Sequence, residues 1–493
     1  KSTDKYNLNA QADDGYVFLG WLSWTKTDKT DKRYLSTNNP ESIGIASDCT
    51  IQPVFIPEDS AQFSVGSEVF YDLNAANAYA LTQTTKTIVL IKSGTIPVDQ
   101  YKIDSGVTLL IPYSSSTAVH TTKPSNSDTV DIKADRSAYR TLTVPSGPTI
   151  NVYGALNVDG QISKNKSLPT GQYGLITLES GAKINLSGKD EKGNDKGGSL
   201  YCWGYINGDG LVIANSGANV YESFQLTGWR GGGASQTIVG DAGKKRVFPI
   251  NQYYIQNVEA ALQFHYGAKE YVYASVEVTI PIIGKQQYDV TTEFISMNAG
   301  MFRLQPGCTF TKKYIPATDR MLFEVDGDFT IGTMALNFTT IISLKTEQYD
   351  LPINSNFSVD IHSGTTTIAP EQNIALLPGA KFTVSHGAEF VAESNMYVYD
   401  RDEWIGKNYA YGGDLRVVGY STTNGTTTMR TAADLVDATI DVNGKLRISG
   451  TKGGIYTTKN PNDPDRGSAN IFSSEGTGQV IFDIATKDEA TAY

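Results

Sequence analysis

The chain has 493 residues and a formal charge of −11, and its isoelectric point is near 5.0. That balance excludes nucleic acid as a partner, because phosphate recognition needs a basic footprint and clusters such as Lys244-Lys245-Arg246 are too small to supply one. Charged residues make up only 19%, against 47 glycines and 28 tyrosines, a composition that reads as β-rich and extracellular rather than as a cytosolic helical enzyme.

No run approaches the ~20 apolar residues of a membrane span, so no transmembrane segment is expected. Lys1 leads directly into strand-like sequence without a signal peptide, which reads as the mature or trimmed product of a secreted precursor. Cys49, Cys202 and Cys308 lie far apart with no CxxC spacing, so they form neither a disulfide framework nor a zinc site, and the sequence leaves a single bridge open without saying which pair would form it.

Residues 1–57 read as a small β unit. Tyr6, Leu8 and Ala10 alternate with polar residues, Asp13-Asp14-Gly15 turns the chain, and Tyr16, Phe18 and Gly20-Trp21 carry a second strand. Thr50-Ile51 through Val54-Phe55 closes the unit, and Trp21 reads as a core aromatic. Gly15, Tyr16, Phe18, Gly20, Trp21, Thr50, Ile51 and Phe55 resemble the InlB B-repeat, the Listeria–Bacteroides repeat of bacterial surface proteins. The resemblance covers about an eighth of the chain and implies a β-grasp-like spacer of Gram-positive bacteria. The stretch Trp24–Ser47 is longer than that family's usual loop.

Residues 58–70 read as a linker. An alanine-rich stretch after Asp72 then predicts a capped helix over about 72–82. Strand-like runs follow at Lys86–Lys92, Thr95–Val98 and Val107–Ile111, with no later return to helix. One phrase recurs from there: a Ser-Gly or Pro-Gly turn and then an alternating apolar strand, at Gly106, Gly147, Gly181, Gly217, Gly307 and Gly379. Glycine suits such corners because it accepts positive φ without strain. Stacked strand–corner–strand units bury a continuous interior. At about 25 residues per rung and ~4.8 Å spacing, residues 71–493 would form roughly 16 or 17 rungs. Antiparallel sandwiches would also show regular turns.

The cap, with Thr87–Ile96 and Ser105–Leu110, resembles the start of the pectin-lyase-like superfamily, which implies a right-handed parallel β-helix. The fold expectation is therefore all-β: a β-grasp-like module, then a long β-helix behind a short cap helix. Loops are expected at about 114–127, 189–198 and 459–467. The middle of the chain resembles large surface proteins of Firmicutes that carry the same repeats, which implies location rather than activity. The end of the solenoid near Gln479–Ile484 shows no matching cap and would expose a strand edge.

Catalysis is not expected. The only Asp-Asp is Asp13-Asp14 in a turn, Ser385-His386-Gly387 lacks the leading glycine of the galacturonan-hydrolase motif, and no Arg-x-Lys accompanies it. His120, His265, His362 and His386 are scattered, and no Gly-x-Ser-x-Gly, HExxH or P-loop occurs. No cofactor is implied; calcium could take oxygens from Asp463 and Asp465 or from Asp326 and Asp328, though neither pair follows the EF-hand spacing and both sit in turn-forming sequence.

Aromatic residues two apart are the most suggestive pattern. Tyr201/Trp203/Tyr205, Tyr271/Tyr273, Tyr397/Tyr399 and Tyr409/Tyr411 would each place rings on one strand face. Such rings can bind glycans, anchor a partner protein, or stack on one another to shield the wall. Three readings of function follow. The first is a non-catalytic adhesin or structural protein of a Gram-positive cell surface, with self-assembly into a layer or filament, partnered by copies of itself, neighbouring modules or a host surface protein. The second is a glycan-binding β-helix, and the third a divergent polysaccharide lyase.

Overall fold

The computed structural model describes residues 5–25, 33–36, 39–44, 48–57, 61–121, 137–160, 172–189, 193–194, 197–227, 236–237, 246–247, 252–255, 257–280, 284–317, 320–339, 344–349, 351–353, 357–369, 372, 374–376, 379–392, 395–398, 419–423, 426–430, 438–449, 454–457 and 470–483. The loop expected at 459–467 lies outside these, as do residues 122–127 of the loop expected at 114–127 and residues 190–192 and 195–196 of the one expected at 189–198.

The protein is all-β with long parallel sheets and, among the described residues, one ten-residue helix. In the N-terminal unit, Tyr16–Thr25 pairs antiparallel with both Arg33–Ser36 and Cys49–Pro57, and Lys5–Leu8 pairs with Glu41–Gly44. The long stretch expected as loop therefore carries strands of its own. Trp21 is buried, and Phe18 meets Trp21 and Phe55 edge-on at 5.3 and 5.9 Å.

From Phe63 onward the chain coils around three sheets. The first receives Thr87–Leu90, Thr108–Ile111, Ala155–Val158, Ser199–Cys202, Asn219–Thr227 and Lys269–Ile280, all parallel. The second receives Gly94–Thr95, Ser137–Val144, Gln172–Leu178 and Tyr205–Gly208. The third receives Gln100–Ile103, Thr149–Val152, Lys183–Leu186, Leu211–Ala214 and Ala261–His265. Each circuit visits the sheets in the same order, so one turn places each strand beside its predecessor.

Alternation explains what fills the coil. Leu109, Leu156, Leu200 and Val220 share one register line on the first sheet, and Ile150, Ile184, Val212 and Leu262 share one on the third; all are fully buried. Outward-facing asparagines form a second line, Asn215 donating to Asn185 at 2.6 Å and Asn185 to Asn151 at 2.9 Å. The recurring glycines sit at the corners with positive φ: +81° at Gly106 between third and first sheets, and +88° at Gly181 between second and third. A β-carbon would be strained at either position.

The helix α1, Leu73–Thr82, is capped by Asp72, whose carboxylate accepts from Ala75 N–H at 2.7 Å. Leu73, Ala76 and Ala80 face the core. Its Asn74 side chain donates to Gln100 C=O and accepts from Lys102 N–H, while Asn77 accepts from Asp104 N–H at 2.9 Å. These amides stand in for the neighbour that the first strand of the third sheet lacks. Part of the expected linker belongs to this cap. Phe63–Val65 pairs with Glu68–Phe70 and with Thr87–Leu90, and Phe63 and Val65 are buried in the core.

Midway the coil doubles back. Lys269–Ile280 turns into the antiparallel Gly284–Ile295, and Thr309–Ile315 runs antiparallel to both Ala261–His265 and Arg320–Asp326. These two reversals bracket a backward rung filled by Phe294, Phe302, Phe310, Phe323 and Phe329. The original direction then resumes through Phe357–Ser363, Lys381–Val384, Thr439–Val442 and Asn470–Phe472 on the third sheet. The first sheet continues through Thr365–Ile368, Glu389–Ala392, Lys445–Ser449 and Gln479–Asp483, and a new four-stranded parallel sheet takes the second position. The third sheet has eleven strands among the described residues, so the stack is about 50 Å long at ~4.8 Å per strand. Eleven described strands are fewer than the 16 or 17 rungs expected, because the strands of one sheet are mostly further apart in sequence than the 25 residues assumed. Successive strands of the first sheet begin at Thr108, Ala155, Ser199, Asn219 and Lys269, far from an even spacing.

Candidate functional site: the tyrosine face and the charge beneath it

Three strands of the first sheet build the site. Along Ser199–Cys202, Leu200 and Cys202 point inward and Tyr201 outward; along Asn219–Thr227, Val220 and Glu222 point inward and Tyr221 outward. In Lys269–Ile280, Glu270 and Val272 are buried, while Tyr271 and Tyr273 are part-exposed. Tyr201, Tyr221 and Tyr271 are register partners, so strand spacing itself brings their rings together. Tyr201 and Tyr221 stack at 4.7 Å and 5° between planes, and Tyr221 and Tyr271 at 5.3 Å and 14°. Tyr273 tilts out of the stack at 36° to Tyr221 and meets the Trp203 edge at 5.9 Å. Asn157 precedes Tyr201 in register and Glu293 follows Tyr271. Burial pushes Tyr221 up to about 12, helped by the neighbouring phenols; burial also raises Tyr271, with the Glu293 charge adding to it, and Tyr273.

The expected aromatic triple divides. Trp203 lies at the corner after Tyr201, buried, with its indole N–H donating to His120 C=O at 3.0 Å. Tyr205 belongs to the second sheet and packs edge-on against Tyr173 at 4.8 Å. The chain turns a corner between Trp203 and Tyr205, so spacing by two does not keep them on one face. Tyr397 lies on Asn395–Val398 in register with Ala375 and Tyr456, while Tyr399, Tyr409 and Tyr411 lie outside the described residues. Tyr221, the centre of the stack, was missed because its partners are 20 and 50 residues away and loop lengths hide that register.

Beside the stack, the described part of the loop expected at 114–127 carries His120. Its Nδ1 lies 2.6 Å from Asp159 Oδ2, and its carbonyl accepts from the Asn157 amide at 2.8 Å. Burial raises the Asp159 carboxyl above the usual range, against the lowering effect of His120 and the Gly160 N–H. The pair ties residues 112–121 to the coil at one edge of the tyrosines. A carboxylate-oriented imidazole is also one element of a hydrolase, but no serine, threonine or cysteine hydrogen-bonds to it among the described residues.

Inside the coil, directly behind the tyrosines, Glu222, Glu270 and Lys312 are all fully buried. The Lys312 ammonium donates to Glu222 Oε2 and to Glu270 Oε1. Glu222 Oε1 also accepts the Val258 N–H at 2.8 Å, whereas Glu270 Oε2 has no partner among the described residues. Burial holds the Glu270 carboxyl well above the carboxylate range. Burial opposes the Lys312 charge, but the two glutamates beside it outweigh burial and its pKa lies above the ordinary value. Strict alternation points Glu222, two after Val220, and Lys312, two after Phe310, into the core. That alternation is the signal the sequence carries for these buried charges.

The calcium candidates divide as well. Asp463 and Asp465 lie outside the described residues. Asp326 and Asp328 are exposed at a corner, where Asp326 accepts from Ser363 Oγ at 3.2 Å and Asp328 from Thr365 N–H at 2.9 Å, so both join one rung to the next. Among the described residues no three His, Cys, Asp or Glu side chains are grouped to hold a metal ion, and no helix is long and apolar enough to cross a membrane. All three cysteines are free thiols.

No protein-family model, curated protein or solved structure matches this chain.

Proposed function

We propose that this chain is a non-catalytic adhesion and structural protein of a Gram-positive cell surface. It presents its tyrosine face from a right-handed parallel β-helix behind an InlB-type spacer. The observation that carries the reading is the register-aligned stack of Tyr201, Tyr221 and Tyr271 on the outside of a parallel sheet. Stacking covers the inner ring faces, so the surface offered is largely ring edges and hydroxyls, which suits a protein partner better than a sugar ring needing an open face. The low charge and −11 balance fit a secreted surface molecule.

The glycan reading rests on Tyr273 alone, whose part-exposed ring leaves the stack. The test is binding of the labelled full chain to glycan arrays and to wells coated with host surface and matrix proteins. Saturable protein binding, lost in the Tyr221→Ala/Tyr271→Ala double variant with an unchanged β-sheet circular dichroism spectrum, is expected. Binding to glycans instead, lost on Tyr273→Ala, would replace the first reading by the second. No binding in either format would sink both.

A further inference from the structure

We propose that Lys312 and Glu270 are joined by an intramolecular amide bond that forms after folding, with Glu222 as the base. The proposal is independent of what the tyrosine face binds.

Three observations place the chemistry. Lys312, Glu222 and Glu270 come from three strands and two sheets, yet all are fully buried, and the amine touches both carboxyl groups. Their surroundings are apolar: the Phe264 and Phe294 rings each lie 6.0 Å from Lys312 Nζ, and Leu262, Val258 and Val220 are completely buried. The two carboxyls are also unequal. Glu222 accepts from a backbone N–H as well as from the amine, the bonding pattern of a carboxylate. Glu270 meets the amine through one oxygen, the other has no partner among the described residues, and burial favours its neutral acid form. A neutral carboxylic acid is an electrophile towards an amine, and a carboxylate is not.

The step balances without any added reagent. Glu222 takes one proton from the Lys312 ammonium. The freed amine attacks Glu270 Cδ, forming the C–N bond. The C–OH bond then breaks, and the hydroxyl leaves as water with a second proton from the nitrogen. Glu222 keeps the first proton. A carboxylate, an ammonium and a neutral acid thus become a neutral acid, an amide and water. Two buried opposite charges disappear, which removes the desolvation cost of the triad. Fixed contact between amine and acid supplies the effective concentration that the reaction lacks in water, and exclusion of solvent opposes hydrolysis. The bond would tie Lys269–Ile280 to Thr309–Ile315 across the backward rung, where the coil departs from simple stacking.

Denaturing mass spectrometry of the intact full chain tests this directly. The expected mass is that of the sequence less one water. Tryptic digestion should join the peptide Glu270–Lys285 to Leu304–Lys313, with cleavage after Lys312 blocked. A bond to the Gly197–Arg230 peptide, which holds Glu222, would overturn the assigned roles. The full sequence mass with free cleavage after Lys312 would overturn the proposal outright, leaving an unlinked ion triad. Glu222→Gln keeps the side-chain shape and should leave most of the chain at full sequence mass; a Glu222→Gln chain that links as completely as wild type would remove Glu222 from the reaction. Because the wild-type mass decides by itself, a variant that fails to fold does not protect the idea.

Discussion

Tyr221 lies between two other phenols, and its acidity records that position. Ionising it would place a charge on a half-buried ring facing Tyr201 and Tyr271, so burial first and the neighbours second raise its pKa from 10.0 to about 12. The folded chain therefore holds this proton more tightly than the unfolded chain. Stability from the stack is complete below pH about 10 and is lost as the pH rises towards about 12. A phenolate absorbance titration of the native chain should show a late component near that value, and Tyr221→Phe should remove it without altering the earlier ones. A single native transition at the ordinary tyrosine value would contradict the stacked geometry. The buried thiols follow the same logic: burial raises Cys202 well above its ordinary value and Cys308 to about 12, so both stay protonated in the fold.

At the level of elements, α1 does more than cover apolar side chains. An open strand edge carries unpaired N–H and C=O groups, and Asn74 and Asn77 satisfy those of Gln100, Lys102 and Asp104. Asn77 also donates to Asp104 Oδ2 at 2.6 Å in a fully buried setting. Asn77→Ala removes both bonds together, and deleting one partner of a buried polar pair costs ~1–3 kcal/mol. Asn74→Ala acts at an exposed pair and should cost only ~0.5–1.5 kcal/mol. Denaturant midpoints of the two variants should fall in that order; equal losses would mean that burial of Asp104 is not what matters. The helix was legible in the sequence because its signals are local: Asp72 as cap and alanines at helical spacing. The corner glycines were legible for the same reason, since positive φ belongs to a single residue. The asparagine edge was not, because nothing in Asn74 or Asn77 announces the strand Gln100–Ile103 that they serve. The corner at Trp203 was hidden too, because Tyr201, Trp203 and Tyr205 fit one uninterrupted alternation as well as they fit two strands.

From Phe63 onward the described strands form a stack in which each rung touches mainly its neighbours, so stability there is distributed along one axis. The parallel run was inferable from the recurring turn-and-strand phrase. The backward rung was not, because alternation is identical for a strand running either way; Phe310 and Lys312 face inward just as Phe264 and Leu262 do. The ends differ in kind. At the start, α1 and Phe63–Val65 close the edges. At the other end, Asn470–Phe472 and Gln479–Asp483 each pair on one side only among the described residues. Ile471 and Val480 are 39% and 47% exposed, although their register partners Ile440 and Leu446 are 1% and 0%. A rung with one neighbour opens at lower free energy than one held on both sides. Hydrogen–deuterium exchange of the full chain should therefore show a gradient. Amides of Gln479–Asp483 exchange first, those of Lys445–Ser449 later, and those of Ala155–Val158 and Ser199–Cys202 last. If the last strands are instead as protected as the middle, a second copy of the chain covers them, and dilution should then restore the gradient. Protection that persists on dilution would rule out both a bare edge and a self-associating one.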